Sequence, residues 1–300
     1  MTKQTRVPAF GFLCAVSIWL WWHQLIMTLR LALANDAYTH ILLILPLSAA
    51  LIYVDSKYLA SKAPRVGPRS IPRIGAALLI LAVVIGCYAR WGMGAAPDDV
   101  RLSLGVFALV TWWLASVLLC FGARTFRSFL FPLCFLFLLV PIPAFILSWI
   151  VEFLQQQSAL AARIMFQAIR VPVTQDGIML SIPGLDIEVA RECSSIRSSL
   201  MLIVTTMVLA HLFLRSWWRK ALLVAAAIPL SVAKNGLRIF TIAELGTRIN
   251  PGFLDGKLHH QGGIVFFGLS VVAVSALLCV LRKTDFPIPK PARVPAEPRN

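Results

Sequence analysis

Eight apolar stretches, separated by shorter polar segments, run along the sequence. About 20 consecutive apolar residues are needed for an α-helix to cross the hydrocarbon core of a bilayer. The pattern therefore predicts an all-α polytopic membrane protein with about eight transmembrane helices. The second and third stretches are short, and the second fits either a helix extended back through residues 36–40 or a re-entrant segment. The predicted spans are residues 10–29, 41–54, 74–88, 102–122, 129–150, 194–214, 221–243 and 263–281.

The longest segment between two spans, residues 152–192, has two parts with different periodicity. In residues 152–170 apolar positions recur at helical spacing, which predicts an amphipathic helix on the membrane surface, with the polar run 155–158 facing water. Further on, the runs 178–182 and 185–189 flank a Pro-Gly pair, and this pattern predicts a short hairpin. The segment is either a connecting loop or a lip over a site.

Composition supports a membrane protein. Of the 300 residues, 59% are hydrophobic and 14% are charged, with a mean hydropathy of +0.80. A soluble domain has about 25% charged residues. These values exclude a secreted disulfide scaffold, a disordered tail protein and an ordinary cytosolic enzyme.

The net charge of +15, from 28 Lys+Arg against 13 Asp+Glu, is unevenly distributed. Most basic residues fall on the side of both termini, so the positive-inside rule predicts cytoplasmic termini and an outward-facing segment 152–192. Anionic lipid is the expected partner of these basic loops. Nucleic acid is not, because no basic stripe with interleaved aromatics lies on a soluble element. Residues 1–282 then form the membrane domain, and the Pro-rich residues 283–300 form a cytoplasmic tail.

One of the six cysteines differs from the rest. The other five lie in apolar runs, no Cys-x-x-Cys pair exists, and no His neighbours them at ligand spacing, so neither a metal nor a cofactor is expected. Cys193 stands at the outer end of the sixth span, where its helix is expected to begin, and Arg197 follows four residues later. A nearby cation and a helix N-terminus both favour the thiolate. Taken alone, Cys193 fits a structural or a reactive role equally well.

Charged residues also lie inside the seventh span, at Lys234 and Arg238. Intramembrane charges point to function by default, although Arg238 could instead snorkel to the outer interface. A thiolate can attack a carbonyl, a histidine can transfer the proton and a cation can stabilise the oxyanion, which together make a cysteine acyl-transfer site. The predicted topology brings these residue types to one side of the membrane, at Cys193, Arg197, Arg238, His259 and His260.

These residues resemble, in order and spacing, the motifs of the exosortase/archaeosortase family of membrane transpeptidases. The family's Cys-Ser-Gly pattern, often followed by Arg-Ser, is similar to the run that starts at Cys193, except that Ser195 replaces the usual Gly. Its Asn-x-x-Arg-Ile pattern corresponds to residues 235–239, and its His-x-x-x-Gly pattern to His259 and Gly263. Supporting matches are Asp36, Tyr38, His40, Pro46, Pro141 and Pro143.

The resemblance implies that Cys193 is the nucleophile, Arg238 the essential cation and His259 the acid/base, with His260 as the alternative of the doublet. It implies cleavage of C-terminal sorting signals (PEP-CTERM-like) of exported proteins at the outer face of the inner membrane, through a thioester. An unidentified amine acceptor or water then releases the product. Exopolysaccharide production commonly accompanies such systems.

Two supporting roles extend this expectation. Arg197 either holds the thiolate or binds the substrate motif, or else contacts lipid headgroups. Asn235 either orients Arg238 or caps a backbone group.

Three other functions fit parts of the pattern. A transporter or channel would use Lys234 and Arg238 as an anion path and would not need Cys193. A lipid or glycan transferase would place carboxylates or a metal-binding acidic motif at the interface, and the sequence has no Asp-x-x-Asp motif. A non-enzymatic subunit of a polysaccharide export complex would lack thiol reactivity.

Overall fold

The structure is a computed structural model that describes residues 3–60, 72–94, 96–189, 196–253 and 263–285. The chain divides into two compact units, Met1–Phe153 and Leu154–Asn300. The helices are α1 Lys3–Leu20, α2 Trp22–Ala34, α3 Ile41–Ala60, α4 Pro72–Cys87, α5 Asp98–Ser128, α6 Leu130–Phe135, α7 Ala144–Ala168, α8 Ile196–Phe213, α9 Trp217–Arg248 and α10 Gly263–Asp285. The strands are β1 Thr174–Asp176, β2 Met179–Ile182 and β3 Leu185–Glu188.

The all-α polytopic membrane fold is confirmed. Within the described ranges, six helices are long and apolar enough to cross a bilayer, and there are up to eight spans if each of two bent helix pairs is one span. The second predicted span extends back, as one of its two interpretations required, and covers Asp36–Tyr58. Large apolar side chains such as Ile80, Ile264 and Val265 are exposed, as expected for helices that contact lipid.

The first predicted span is broken, so a continuous helix over residues 10–29 is wrong. Its two halves, α1 and α2, meet at 71°. The break falls at Trp21, whose backbone is non-helical (φ −108°, ψ 20°) and whose side chain is only 3% exposed. Trp21 packs against Trp112 of α5, with 5.6 Å between ring centroids, and against the small Ala82 and Ala108. The bend places the indole in this cluster.

The fifth predicted span, residues 129–150, is also broken. α6 continues as a 3-10 turn to Leu139, and α7 leaves it at an angle of 96°. Pro141 and Pro143 stand at the break, where proline removes an N–H and disfavours helix in the residue before it. Counting apolar residues along the run 129–150 does not detect this interruption of the helix.

Side chains satisfy the backbone groups that the break exposes, as an apolar medium requires. Ser103 Oγ donates to Pro141 O at 2.7 Å, and Tyr38 Oη donates to Ile142 O at 2.7 Å. The Asp99 carboxylate accepts from the Ala144 N–H at 2.6 Å, which caps the start of α7. Tyr38 therefore anchors the break.

The surface helix predicted at residues 152–170 is the second part of the continuous helix α7. The expected orientation of its polar run is wrong at two positions, because Gln155 and Ser158 are 5% and 1% exposed. Leu160 and Ile164, in contrast, are 40% and 56% exposed. The helix therefore buries two polar residues of the run and exposes two large apolar ones, although Phe166 is buried.

The predicted hairpin is confirmed as β2 and β3, which pair antiparallel around Pro183 and Gly184. Gly184 has a φ of 85°, which glycine adopts without strain. The sequence did not predict β1, which has only three polar residues and pairs with β2. The sheet packs on α7 and α9 in an apolar cluster that we call the upper cluster: Ala159, Ala162, Phe166, Leu180, Ile182, Val189, Ile239 and Ala243.

A second apolar cluster in the same unit joins α8, α9 and α10. We call it the lower cluster, and its members are Leu202, Ala210, Leu214, Leu223, Ala227, Val274, Leu278 and Leu281. α9 contributes to both clusters, with Leu223 and Ala227 in the lower one and Ile239 and Ala243 in the upper one. The stretch of α9 between these residues is therefore enclosed at both ends by apolar packing.

Candidate functional site

A stripe of polar residues occupies the part of α9 between the two apolar clusters. Ser231, Lys234, Asn235 and Arg238 are 2%, 5%, 1% and 9% exposed. Their spacing of three, four and seven residues from Ser231 puts them on one helical face. Because Arg238 is buried and α9 continues to Arg248, the snorkelling alternative is not supported. We call these four residues, with Ser158 of α7 and Ser198 and Ser199 of α8, the polar layer.

Side-chain hydrogen bonds across the polar layer connect three helices. Lys234 Nζ donates to Ser198 Oγ, and Ser231 Oγ donates to Ser199 Oγ at 2.5 Å, so α9 is bonded to the first turn of α8. Asn235 Nδ2 donates to Ser158 Oγ at 3.0 Å, which bonds α9 to α7. The layer is therefore a set of paired groups between packed helices.

Gly236 permits this close packing. A Cβ atom at this position would lie 2.6 Å from Ala161 Cβ and 3.0 Å from the Ala162 backbone nitrogen. Any side chain larger than hydrogen would push α7 and α9 apart, because real contacts at these distances are repulsive. The glycine between Asn235 and Arg238 thus fixes the distance at which Asn235 reaches Ser158.

Cys193 lies in residues 190–195, outside the described part of the chain, but both neighbouring segments are described. Before it, Val189 O accepts a hydrogen bond from the buried Gln155 Nε2 at 2.6 Å. After it, Ser198 is bonded to Lys234. Cys193 is four residues from Val189 and five from Ser198, so chain length alone limits these Cα separations to about 14 Å and about 18 Å. The described segments on both sides of residues 190–195 are therefore bonded to buried polar side chains, Gln155 and Lys234.

His259 and His260 lie in residues 254–262, which are also outside the described part. α10 begins at Gly263 and packs against α8 and α9. His259 is four residues before Gly263, within about 14 Å of it by chain length.

The two predicted arginines have different environments. Arg238 is buried in the polar layer with Asn235 and Lys234, whereas Arg197, in the first turn of α8, is exposed. The described helix begins at Ile196, so the predicted single turn between Cys193 and Arg197 falls outside the described residues.

The sequence reasoning missed the roles of four residues: Gln155, Ser158, Ser198 and Ser199. Small polar residues in an apolar helix often face a neighbouring helix and form hydrogen bonds with it. That signal is present in the sequence of α7, where the rule for helices in water predicts the opposite orientation of Gln155 and Ser158.

The polar layer has the electrostatics of a site that accommodates negative charge. It contains two buried cations, while no Asp or Glu of the described residues is buried. Fixed positive charge in a water-poor site is well suited to a developing oxyanion. The described ranges contain no group of three His, Cys, Asp or Glu side chains that could hold a metal ion.

Comparison with known proteins identifies the family. The model of the family described as transmembrane exosortase (Exosortase_EpsH) matches residues 21–276. Searches among curated proteins and among solved structures gave no match to this chain. The matched range includes the polar layer, Cys193 and both histidines, and it covers most of the sequence. The chain belongs to the transmembrane exosortase family.

Proposed function

We propose that this exosortase is a membrane-embedded cysteine protease and transpeptidase that cleaves C-terminal sorting signals of exported proteins through a thioester at Cys193. One observation in particular supports the proposal. The layer containing Arg238 and Lys234 is bonded to the first turn of α8, and Cys193 is three residues before that helix begins. Acyl transfer requires a nucleophile and a positive charge that stabilises the oxyanion, and the proposal assigns these roles to Cys193 and to the buried cations.

The proposed reaction assigns one role to each residue. The Cys193 thiolate attacks the scissile carbonyl carbon, and the carbonyl oxygen becomes an oxyanion that Arg238 stabilises. When the C–N bond breaks, the leaving amine takes a proton from His259, or from His260 if that residue is the acting member of the doublet. An amine acceptor or water then attacks the thioester and gives its proton to the same histidine, and the C–S bond breaks to regenerate the thiolate.

Two further residues have supporting roles in the proposal. Asn235, bonded to Ser158, keeps the turn of α9 that bears Arg238 against α7. Arg197, which is exposed in the first turn of α8, contacts the substrate motif in this proposal.

The proposed substrates carry a PEP-CTERM-like signal, which consists of a short Pro-containing motif, a transmembrane helix and a basic end. An enzyme of several membrane spans shares the bilayer with such a helix. The excess of Lys and Arg on the terminal side supports cytoplasmic termini and a site on the outer face of the inner membrane. A link to exopolysaccharide production and the identity of the amine acceptor are further parts of the proposal.

The proposed domain organisation is one membrane domain, residues 1–282, followed by the cytoplasmic tail 283–300. α10 continues to Asp285, and residues 286–300 lie outside the described part of the chain.

Co-expression with a reporter that carries a sorting signal tests this proposal. Wild type is compared with Cys193→Ala, Arg238→Ala, His259→Ala and His260→Ala. We expect processing to be lost in Cys193→Ala and Arg238→Ala and in one of the two histidine variants. Cys279→Ala is the matched control, because Cys279 is an exposed free thiol on α10.

Unchanged processing by Cys193→Ala, produced at the wild-type level, would contradict the nucleophile assignment. The buried Lys234 and Arg238 would then favour a transporter with an anion path or a non-enzymatic export subunit.

A further inference from the structure

Lys234 is a buried ammonium group that is bonded to a single, neutral side chain among the described residues. It is 5% exposed within α9, and its Nζ donates to Ser198 Oγ. An ammonium group has three donors and no acceptor, so this hydrogen bond uses one donor of the three. In the proposed reaction Arg238 stabilises the oxyanion, whereas Lys234 adds positive charge to the polar layer and has no assigned contact with the substrate.

The polar layer does not neutralise the charge of Lys234. Its neighbours on the same face of α9 are Ser231, Asn235 and Arg238, which are neutral or positive. A buried charge is costly in an apolar environment, and well-packed apolar replacements of buried ions are often neutral or stabilising. Contact between α8 and α9 therefore does not require an ammonium group, whereas the binding of an anion does.

The acidic side chains that the structure describes in the same unit lie away from Lys234. The Glu244 carboxylate accepts from Arg248 Nε at 2.6 Å. The others are exposed on the strands of the sheet, at Asp176, Asp186 and Glu188. The described part of this unit consequently provides no carboxylate as the counter-ion of Lys234.

The bond to Ser198 places the ammonium group at the start of α8. Ser198 is the third residue of this helix and is half-buried. Ser199 and Ser231 are more enclosed, with exposed fractions of 5% and 2%, and they bond to each other. A ligand that approaches the first turn of α8 beside Ser198 therefore also approaches Lys234 Nζ, because a hydrogen bond joins the two groups.

A peptide substrate supplies negative charge as a carboxylate. In the proposed substrates the C-terminal carboxylate lies beyond the transmembrane helix, which leaves Asp and Glu side chains of the signal as the anions available at the outer face. A carboxylate accepts hydrogen bonds from an ammonium group, and such charge-assisted bonds are about twice as strong as neutral ones.

We propose that Lys234 is a specificity-determining residue that binds the carboxylate of an Asp or Glu side chain in the sorting signal. The inference rests on the proposed function, since it names one chemical feature of that substrate. Binding gives the buried cation an opposite charge, and no covalent bond forms or breaks. A signal with an amide in place of the carboxylate leaves the ammonium group uncompensated and binds less tightly.

The test compares two synthetic sorting-signal peptides that differ in one residue of the Pro-containing motif, glutamate in one and glutamine in the other. Fluorescence anisotropy measures Kd for the full-length protein in lipid nanodiscs, with Cys193→Ala as the background that does not cleave. We expect the glutamate peptide to bind at least about 10-fold more tightly than the glutamine peptide. Adding Lys234→Met should reduce this ratio to about 1 or below, because the carboxylate then loses its partner.

Lys283→Met is the matched control, because Lys283 is exposed in the last turn of α10. It should leave the ratio of the two Kd values unchanged. Lys234→Arg keeps the charge and should still favour the glutamate peptide. Without peptide, Lys234→Met should unfold at the same temperature as its background or above it, which separates lost recognition from lost stability. Saturating glutamate peptide should raise the unfolding temperature less in Lys234→Met than in its background.

Equal affinity of the Cys193→Ala protein for the two peptides would overturn the inference, and this comparison needs no variant of Lys234. An undiminished preference for glutamate in Lys234→Met would also overturn it. Either result leaves the proposed function standing if wild type cleaves the glutamate peptide and Cys193→Ala does not. Cleavage by Cys193→Ala contradicts the proposed function, whereas the ratio of Kd values still decides whether Lys234 binds the carboxylate.

Discussion

At the scale of single residues, the main feature of the site is its positive charge. Lys234 and Arg238 are both buried and lie one helical turn apart. Like charges at this spacing destabilise a helix, and burial increases the penalty. Unfavourable electrostatics of this kind are typical of functional positions, where the protein is less stable than the same fold would be without the charges. For the same reason, we predict that an uncharged replacement of Lys234 does not lower the free energy of unfolding.

The bond between Asn235 and Ser158 gives a prediction about stability. Both side chains are 1% exposed, so Asn235→Ala removes a buried donor from the Ser158 hydroxyl. We expect the free energy of unfolding in mild detergent to fall by about 1–3 kcal/mol. In a double-mutant cycle with Ser158→Ala, the combined loss should be smaller than the sum of the single losses. Strict additivity would show that the two side chains do not interact.

The sequence predicted Lys234, Arg238 and Asn235 as important because charges and amides in an apolar span are conspicuous. It did not predict that Gln155 and Ser158 face inward. In a bilayer the outer surface of a helix is apolar, so the usual assignment of polar residues to the exposed face fails at Gln155 and Ser158 of α7.

At the scale of elements, the type of each element could be predicted from the sequence better than its continuity. The apolar runs correspond to helices, and the Pro-Gly pair corresponds to the β2–β3 turn. The breaks at Trp21 and at residues 140–143 were not predicted, because the length of an apolar run reports neither a tertiary packing partner nor the effect of the prolines within the run. Trp21 needs the aromatic cluster with α5, and the proline break needs donors from Tyr38 and Ser103.

The contact between α7 and α9 gives a second prediction. Gly236→Ala must displace Ala161 or the α7 backbone, which we expect to lower the free energy of unfolding by about 1–3 kcal/mol. The shift also moves Asn235 and Arg238, so processing of the reporter should fall. Thermal unfolding measures the loss of stability, and the reporter assay measures the loss of processing.

Gly268 of α10 provides the matched control. A Cβ at Gly268 meets no atom within 4 Å. Because alanine has the higher helix propensity, Gly268→Ala should leave the free energy of unfolding unchanged or raise it by up to about 1 kcal/mol. If Gly236→Ala were as stable as Gly268→Ala, the close approach of α7 and α9 would not matter.

At the scale of the whole molecule, the sequence predicted a polytopic membrane protein of about eight spans, and the fold class is confirmed. Hydropathy is sufficient for this because backbone groups in lipid must be satisfied within each helix. The division into two units could not be predicted in this way, since it depends on contacts between distant segments. Cys193, Arg238 and His259 all belong by sequence to the unit Leu154–Asn300, which contains the polar layer.

The most direct test of the account is mass spectrometry of the full-length protein after co-expression with a sorting-signal reporter. We predict an adduct on Cys193 with the mass of the substrate fragment that precedes the scissile bond. Hydroxylamine should release the adduct, as it does a thioester, and the adduct should be absent from Cys193→Ala. Continued processing by wild type with the acyl group on another residue, or on none, would contradict the account.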